Sequence, residues 1–250
     1  MKKSLFVALF GMIIIPAAGQ YTGQVQSNMS SGGANAGSTA QIQGLLGPIT
    51  DAFEKRTFNL DDFKGSPYTN NEFQKTALFY EEEKLGPIFY RYNALNQEIE
   101  IKMENNENEG IRALGRDKKI AILLDGKKTS FKTFIDKDGK TLNGYLTALT
   151  LEGNNRLYKR HYVKYTEGKK AENSFVQAVP SKFTHYTEYY LEMEGKNRVD
   201  EIELKNKKLL NMLSSESRSN LQAFLKENKL NIKKEYDLIQ AVRFLNEQPL

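Results

Sequence analysis

Apolar residues recur at every second position in a series of short runs between Phe73 and Leu204, and turn-forming pairs separate the runs. In "QEIEIKME", for example, Ile99 and Ile101 alternate with charged residues. A period of two is typical of a half-buried strand, because successive side chains of a strand point to opposite faces. The Asp-Gly and Gly-Asn pairs between the runs supply the positive φ that tight hairpins need. The pattern predicts an antiparallel β-meander of about eight to ten strands, either an open sheet or barrel-like.

The hydrophobic period changes near Asn206, where the alternation gives way to helical spacing. Two amphipathic stripes follow, with serines and Asn231 as candidate N-caps. Their apolar members are Leu221, Phe224, Leu225, Leu238, Ile239, Val242 and Leu245. Helices of this length are not stable alone, so we expect the stripes to pack on each other or on the sheet. The predicted fold class is therefore α+β, an antiparallel β-meander followed by a short carboxy-terminal helical module.

Residues 1–19 have the layout of a secretory signal peptide. Lys2 and Lys3 form a basic start, an apolar run follows, and Ala17 and Gly19 occupy the −3 and −1 positions of a cleavage site. The apolar run is shorter than the roughly 20 residues that span a bilayer, which favours a cleaved signal over a membrane anchor.

These patterns divide the chain into four segments. Residues 1–19 are the signal peptide, residues 20–44 a flexible Gly/Ser/Ala/Gln linker, residues 45–204 the β-rich domain and residues 205–250 the helical module packed on it. The linker prediction depends on composition, because a segment with few apolar side chains cannot offset the entropy of ordering itself. The first apolar cluster, in "QIQGLLGPITDAF", is compatible with a short helix or docking segment.

Composition excludes several functional classes. The chain has no cysteine, which rules out disulfides, thiolate metal sites, a cysteine nucleophile and lipid attachment through a cysteine. It has 36 Lys and Arg against 31 Asp and Glu, so removal of Lys2 and Lys3 with the signal peptide leaves 34 basic residues and a net charge of about +3. Nucleic-acid binding uses a clustered basic patch. The basic stretches here are short and diluted by acids, and we expect no nucleic-acid partner.

Two polar stretches invite a catalytic or metal-binding interpretation. The run Glu81–Glu83 is interpreted as a solvated hairpin tip, since catalytic carboxylates need a pocket that separates their pKa values. The stretch "DKDGKTLNGYLT", residues 136–147, begins like a calcium loop. It has Gly139 at position four and Thr147 at position twelve, where such a loop needs Gly at six and Glu at twelve. It is therefore predicted to be a hairpin turn.

The third candidate is the pair His161 and His185, the two histidines of the chain. Both lie in strand-like runs, and a metal site would need them to converge with a carboxylate such as Glu188. Isolated histidines are more often ordinary, partly buried residues, so no metal site is predicted. The chain has no nucleophile-elbow, Walker or dinucleotide-binding motif, and we predict no catalytic residue and no cofactor.

Aromatic residues are concentrated between Ser66 and Lys102. They fall at strand spacing and comprise Phe73, Phe79, Tyr80, Phe89, Tyr90 and Tyr92. We interpret them as the core and rim of a sheet. An exposed fraction of them would form a binding surface, since tyrosine is favoured at interfaces.

Four segments carry a resemblance to a known group of proteins. They are "GSPYTNNEFQ", "FYRYNALNQEIEIK", "PSKFTHYTEYYLEMEG" and "LQAFLKENKLNIKKEYDLIQAVRFLNE", in this order between Gly65 and Glu247. These segments resemble an exported protein family of the Bacteroidota with a Gly-Ser-Pro-Tyr-x-Asn-x-x-Phe pattern, an Arg-Tyr-Asn strand and a carboxy-terminal Lys-rich helix pair. The resemblance implies export and supplies no catalytic motif that transfers to this chain.

Together these features predict an exported, non-enzymatic protein of the periplasm or cell surface, an accessory or structural subunit that binds another envelope or outer-membrane protein. We expect no transmembrane span after signal cleavage. Two alternatives stay open, a β-barrel that binds a small apolar ligand and a hydrolase with a dispersed active site. A cavity of about 300 to 1,000 Å³ would favour the ligand binder, and clustered acids with perturbed pKa values the enzyme. An exposed aromatic patch or an unpaired strand edge would favour the interaction protein.

The signal-peptide prediction has a direct test. We expect the exported protein to be soluble and to begin at Gln20, because cleavage follows the small residues at Ala17 and Gly19. Intact-mass analysis of the exported protein measures this, and a retained amino-terminal segment would contradict it.

Overall fold

The strands of the described part of the chain form one eleven-stranded sheet that closes on itself at one end. The computed structural model describes residues 34–48, 63–171, 175 and 177–248. The predicted signal peptide and residues 20–33 of the predicted linker lie outside the described residues.

Eleven strands and four helices lie within the described residues. The strands are β1 (Leu46–Gly47), β2 (Gln74–Tyr80), β3 (Glu83–Asn93), β4 (Glu98–Lys102), β5 (Arg112–Leu114), β6 (Ile120–Leu124), β7 (Lys127–Ile135), β8 (Thr141–Ala148), β9 (Arg156–Thr166), β10 (Lys182–Glu192) and β11 (Val199–Glu201). The helices are α1 (Ala34–Gly44), α2 (Asn206–Asn211), α3 (Ser215–Glu227) and α4 (Glu235–Glu247). The change from strands to helices lies between Glu201 and Asn206, and the predicted α+β class is confirmed.

The last five strands close into a barrel. The strand order is β1-β5-β4-β3-β2-β6-β7-β11-β10-β9-β8, and β8 also pairs with β7. All pairs are antiparallel except β7 with β11, which run parallel and meet at Ile135 and Asp200. A closed ring with an odd number of strands cannot alternate direction throughout, so one parallel pair is unavoidable. The predicted meander therefore describes the hairpins correctly, but not the closing pair, nor the pairing of β2 with β6 and of β1 with β5.

Side chains from the five strands fill the interior of the barrel. They are Phe134, Leu146, Tyr158, Tyr190 and Val199, each at most 7% exposed. The ring centroids of Phe134 and Tyr190 lie 4.6 Å apart. The barrel therefore encloses a packed core, in which dispersion contacts replace solvent.

A second core lies between the strands β2–β6, the outer end of the β9–β10 hairpin and α1. Here the structure corrects the linker prediction, because residues 34–44 form a helix instead of a flexible segment. Ile42 is 2% exposed, and Leu45 and Leu46 beside it are also buried. The Gly115 N–H donates to the Leu45 carbonyl at 2.8 Å. Ile42, Leu45 and Leu46 together hold this segment against the second core. The short helix considered for "QIQGLLGPITDAF" is not confirmed, because α1 ends at Gly44 and Leu46–Gly47 form β1, and residues 49–53 lie outside the described residues.

The helical module packs on β9 and β10 through a third core. Leu157 and Leu191 of these strands contact buried residues of α3 and α4. The predicted stripes meet as expected, and the rings of Phe224 and Phe244 stack with centroids 4.1 Å apart. The members of this core from both predicted stripes are Leu221, Phe224, Leu225, Leu238, Ile239, Val242 and Leu245.

The caps of the module are predicted only in part. Ser214 caps α3 as predicted, because its hydroxyl accepts from the Ser217 N–H. The prediction of Asn231 as the N-cap of the last helix is wrong. The helix begins at Glu235, and the Asn231 carboxamide oxygen accepts instead from the Lys233 N–H within the preceding turn.

The polar face of β4 also differs from the prediction of a half-buried strand. Glu98, Glu100 and Lys102 are at most 9% exposed, so both faces of this strand are buried. Glu100 lies opposite Arg91 of β3, and the two side chains form an ion pair at 2.5 Å. The Asn93 side-chain amide donates to the other Glu100 oxygen at 3.2 Å.

Residues of the "GSPYTNNEF" segment cover this ion pair. The Arg91 guanidinium lies 3.9 Å from the centroid of the Tyr68 ring and 4.6 Å from that of Phe73. It also donates to the Tyr68 hydroxyl and to the Asn71 carbonyl. Tyr68, Asn71 and Phe73 belong to the first of the segments that carry the sequence resemblance, and Arg91 and Glu100 belong to the second, so these two segments meet at the ion pair.

Loss of this ion pair should cost more stability than loss of an exposed one. We expect Arg91→Ala to lower the free energy of unfolding by about 3 to 5 kcal/mol, because it leaves the Glu100 carboxylate buried without its partner. The control is Lys128→Ala, which removes an exposed pair with Glu82 and should cost less than about 1 kcal/mol. Chemical denaturation measures both values, and equal losses would contradict the assignment.

Candidate functional site

The β9–β10 hairpin extends beyond the barrel to which it belongs. The two strands pair without interruption over their full length, whereas β8 pairs only with Tyr158 and Lys159, and β11 only with residues 190–192. Residues 160–166 and 182–188 therefore form an outer hairpin, the name used below, at the far end of the barrel.

The register of the hairpin determines what each of its faces presents. His161 lies opposite Thr187, and Val163 lies opposite His185. Paired residues share a face, and successive residues alternate between faces. Both histidines thus lie on one face, and Arg160, Tyr162, Lys164, Tyr186 and Glu188 lie on the other.

The two histidines converge, as a metal site would require. The His161 Nε2 and His185 Nδ1 atoms lie 2.9 Å apart. Glu188 does not join them, since it lies on the opposite face and pairs with Arg160 at 3.0 Å. Within the described residues, no three His, Cys, Asp or Glu side chains come close enough to hold a metal ion.

His161 is the more buried member of this pair. Burial lowers its pKa below the ordinary histidine value, and the neighbouring His185 and Lys159 lower that pKa further. The His161 carbonyl accepts from the Tyr92 hydroxyl at 3.1 Å and from the Gln97 side chain at 3.2 Å. These bonds fix the edge of β9 to the second core.

The opposite face carries an exposed ladder of aromatic and charged side chains. The rings of Tyr162 and Tyr186 stack with centroids 5.2 Å apart, and the Lys164 amine lies within 6 Å of both. Burial and the nearby Glu188 carboxylate raise the pKa of Tyr162 to about 12. Tyr186 is 41% exposed, so this ladder presents aromatic surface to solvent.

The outer edge of β10 is open at the same place. The Phe183 N–H donates to the Lys64 carbonyl, and the Tyr189 carbonyl accepts from the Ile202 N–H, both away from β9. Backbone groups alternate between the two edges of a strand, so those of His185 and Thr187 also point away from β9. Nothing in the described part of the chain pairs with them.

The other candidate residues take the positions that the sequence predicts. Glu81 and Glu82 form the exposed turn between β2 and β3 and pair with Lys119 and Lys128. The "DKDG" stretch is the turn between β7 and β8, where the Asp136 carboxylate accepts from two backbone N–H groups.

The aromatic residues of the stretch between Ser66 and Lys102 likewise form core and rim. Tyr90 and Tyr92 are buried, while Phe73, Phe79, Tyr80 and Phe89 are partly buried. Two of the exposed tyrosines, Tyr165 and Tyr186, lie instead on the outer hairpin, and a third, Tyr236, lies on α4. The alternation in "FTHYTEYYLEME" identifies a strand, but it carries no signal that one edge of the strand is open.

Comparison with known proteins identifies no relative, since no family model, no curated protein and no solved structure matches this chain. The resemblance to exported proteins of the Bacteroidota therefore stays a prediction from the quoted segments. None of the helices in the described residues is long and apolar enough to cross a membrane.

The buried histidine makes stability depend on pH. The unfolded chain takes up a proton on His161 near pH 6.5, whereas the lowered pKa keeps the folded state neutral to lower pH. The unfolded state then binds more protons, so the free energy of unfolding falls as the pH drops below about 6.5. We expect His161→Gln to lose less stability than wild type between about pH 7.5 and 5.5.

Chemical denaturation of both proteins at the two pH values measures this difference. Carboxylates titrate in both proteins, so the comparison isolates the histidine. An identical pH dependence in the two proteins would contradict the lowered pKa of His161.

Proposed function

We propose that this protein is an exported, non-enzymatic accessory subunit of the cell envelope, which binds another envelope protein through its outer hairpin. An extended segment of the partner pairs with the open edge of β10. The observation that carries the proposal is the pair of outward-facing residues, His185 and Thr187, whose backbone groups have no partner within the described chain.

Strand addition suits this edge chemically. Main-chain hydrogen bonds supply affinity, and the side chains beside them supply specificity. The edge is bounded by the Lys64 bridge at Lys182 and by β11 at Tyr190. The free stretch from Thr184 to Glu188 is about 17 Å long, which accommodates a short strand and restricts its register.

The stacked tyrosines lie directly beside this edge. Tyr186 belongs to β10 itself, and its ring is held against Tyr162. Rings that are already fixed lose little conformational entropy on binding, which is why tyrosine is enriched at interfaces. Lys164, above both rings, adds a cation that favours a partner with an acidic or carbonyl-rich flank.

The packed interior of the barrel favours this proposal over a binder of small apolar ligands, because large side chains occupy the space that such a ligand would need. Three acids of the described residues have shifted pKa values, Glu201, Glu203 and Glu235. Each is bonded to a different basic residue or backbone N–H and not to another acid, which favours the proposal over a hydrolase. Burial raises the pKa of Glu201, which lies opposite Tyr190. Burial alone would raise the pKa of Glu235, but hydrogen bonds from Lys159 and Tyr189 outweigh this effect and lower it. Glu235 and Tyr189 lie on the face of β10 opposite to Tyr190, because successive residues of a strand alternate between faces.

The test removes the open edge without removing the hairpin. In Thr187→Pro, the outward N–H is lost and the ring occupies the edge, while β9 keeps its pairing because this N–H points away from it. We expect the native envelope partner that co-purifies with wild type in mild detergent to be absent with Thr187→Pro. Thr187→Ala is the matched control and should retain the partner, since it keeps the backbone donor.

Thermal unfolding establishes that both variants are folded before the pull-down is interpreted. Retention of the same partner by folded Thr187→Pro would show that β10 is not the contact edge. Loss of the partner in Thr187→Ala as well would assign recognition to the threonine side chain and also contradict strand addition.

A further inference from the structure

A groove of about 540 Å³ lies at the end of the barrel opposite the outer hairpin. The start of β7, the end of β8 and the start of β9 form its walls, and the turn between β2 and β3 lies over it. Five cationic side chains line it, and we call it the cationic groove. They are Lys118, Lys119, Lys128, Lys132 and Arg156. Among the described residues, two acidic side chains, Glu81 and Glu82, line it with them.

The acids of the groove are already used by two of the lysines. Glu81 pairs with Lys119, and Glu82 pairs with Lys128. The remaining three cations, Lys118, Lys132 and Arg156, form no ion pair with any described residue. The lining of the groove thus carries three more cations than acids, although the net charge of the chain is small.

Lys132 lies at the floor of the groove, where the barrel interior begins. Its amine is 4.8 Å from the centroid of the Tyr158 ring. Burial lowers the pKa of Lys132; Glu192 partly opposes this, and the nearby Arg156, Lys128 and Lys118 reinforce it. A half-buried ammonium group surrounded by other cations is costly without a counter-charge.

We propose that the cationic groove binds a small anion that carries more than one phosphate group. Phosphate oxygens match the fork of the Arg156 guanidinium and the point charges of the two unpaired lysines. The volume of the groove lies within the range of small-molecule sites. The chemistry is shared by free oligophosphates and by the phosphorylated headgroup of a lipid.

The wall of the groove also has an apolar part. Ala121, Ala148 and Leu151 line it beside the cations, and Leu151 is 62% exposed. An exposed leucine at the rim gives the uncharged body of the ligand a contact surface. The cationic groove is separate from the open edge of β10. The proposed binding of a partner protein at that edge does not depend on anion binding in the groove.

The test compares charge loss inside the groove with equal charge loss elsewhere. The probe is sodium tripolyphosphate, titrated by calorimetry into wild type, Lys132→Gln, Lys118→Gln and Lys182→Gln. The control residue Lys182 is exposed and pairs with Thr166, at the opposite end of β9 from Arg156, about 33 Å away along the strand.

We expect each groove variant to weaken tripolyphosphate binding about tenfold or more, as for loss of a charge-assisted bond, and Lys182→Gln to change it less than about twofold. An equal loss in all three variants would reduce the effect to general charge attraction and overturn the proposal. Absence of tripolyphosphate binding overturns it as well, unless the vesicle arm below shows binding that depends on Lys132. Lys118→Gln alters an exposed side chain, so the test stands even where Lys132→Gln is unstable.

A second arm distinguishes the two sources of phosphate. Phosphatidylcholine vesicles with phosphatidylinositol bisphosphate are compared with pure phosphatidylcholine vesicles in a flotation assay. Binding that requires the bisphosphate and is lost in Lys132→Gln assigns the site to a lipid headgroup. Binding of tripolyphosphate without vesicle binding assigns it to a free anion, and failure of both arms leaves the groove without the proposed ligand.

Discussion

The pairing of β9 with β10 is the constraint on which the rest of this structure depends. One face of these strands supplies Tyr158 and Tyr190 to the interior of the barrel. The other face supplies Leu157 and Leu191 to the helical module and Val163 to the second core. A slip of the register by one residue would exchange the faces of one strand, and all three cores would lose buried side chains together.

Much of the fold could be predicted from local signals, because hairpins and amphipathic helices are encoded by neighbours in the sequence. The turns at Glu81 and Gly139 and the cap at Ser214 belong to this class. The closing of β7 on β11 does not, since it is a contact between distant segments that leaves no periodic signal. The helix at Ala34–Gly44 is not predicted for a related reason. Its packing depends on Ile42, and one apolar residue hardly changes the average composition of a polar segment.

For individual side chains, too, the sequence pattern predicts which strand face a residue lies on but not which residues it contacts. Alternation places Arg91 and Glu100 on the polar faces of their own strands. It shows neither that the two residues pair nor that Tyr68 and Phe73 cover the pair and exclude solvent from it. The two histidines were recognised as candidates, yet only the register places them together and places Glu188 on the other face. Edges and faces are properties of the assembled sheet, so the open edge of β10 had no counterpart in the sequence.

The two ends of the barrel differ in charge although they are built alike. At each end a cation lies over an interior ring, Arg160 over Phe134 and Lys132 over Tyr158. The Arg160 guanidinium is neutralised by Glu188, which also accepts from the Tyr190 hydroxyl. At the other end, Glu192 is engaged by the Tyr158 hydroxyl, and Lys132 has no ion pair among the described residues.

This asymmetry is the physical basis of the two proposals, in which each end of the barrel recognises a different kind of ligand. Where the charge is balanced, the surface offers backbone groups and stacked tyrosines, which suit an extended polypeptide. Where cations outnumber acids, a bound anion would favour the charged form of the half-buried Lys132 amine, which Glu192 favours only in part. Since a packed core separates the two ends, a partner strand on β10 and an anion in the groove would occupy the protein at the same time without contact between them.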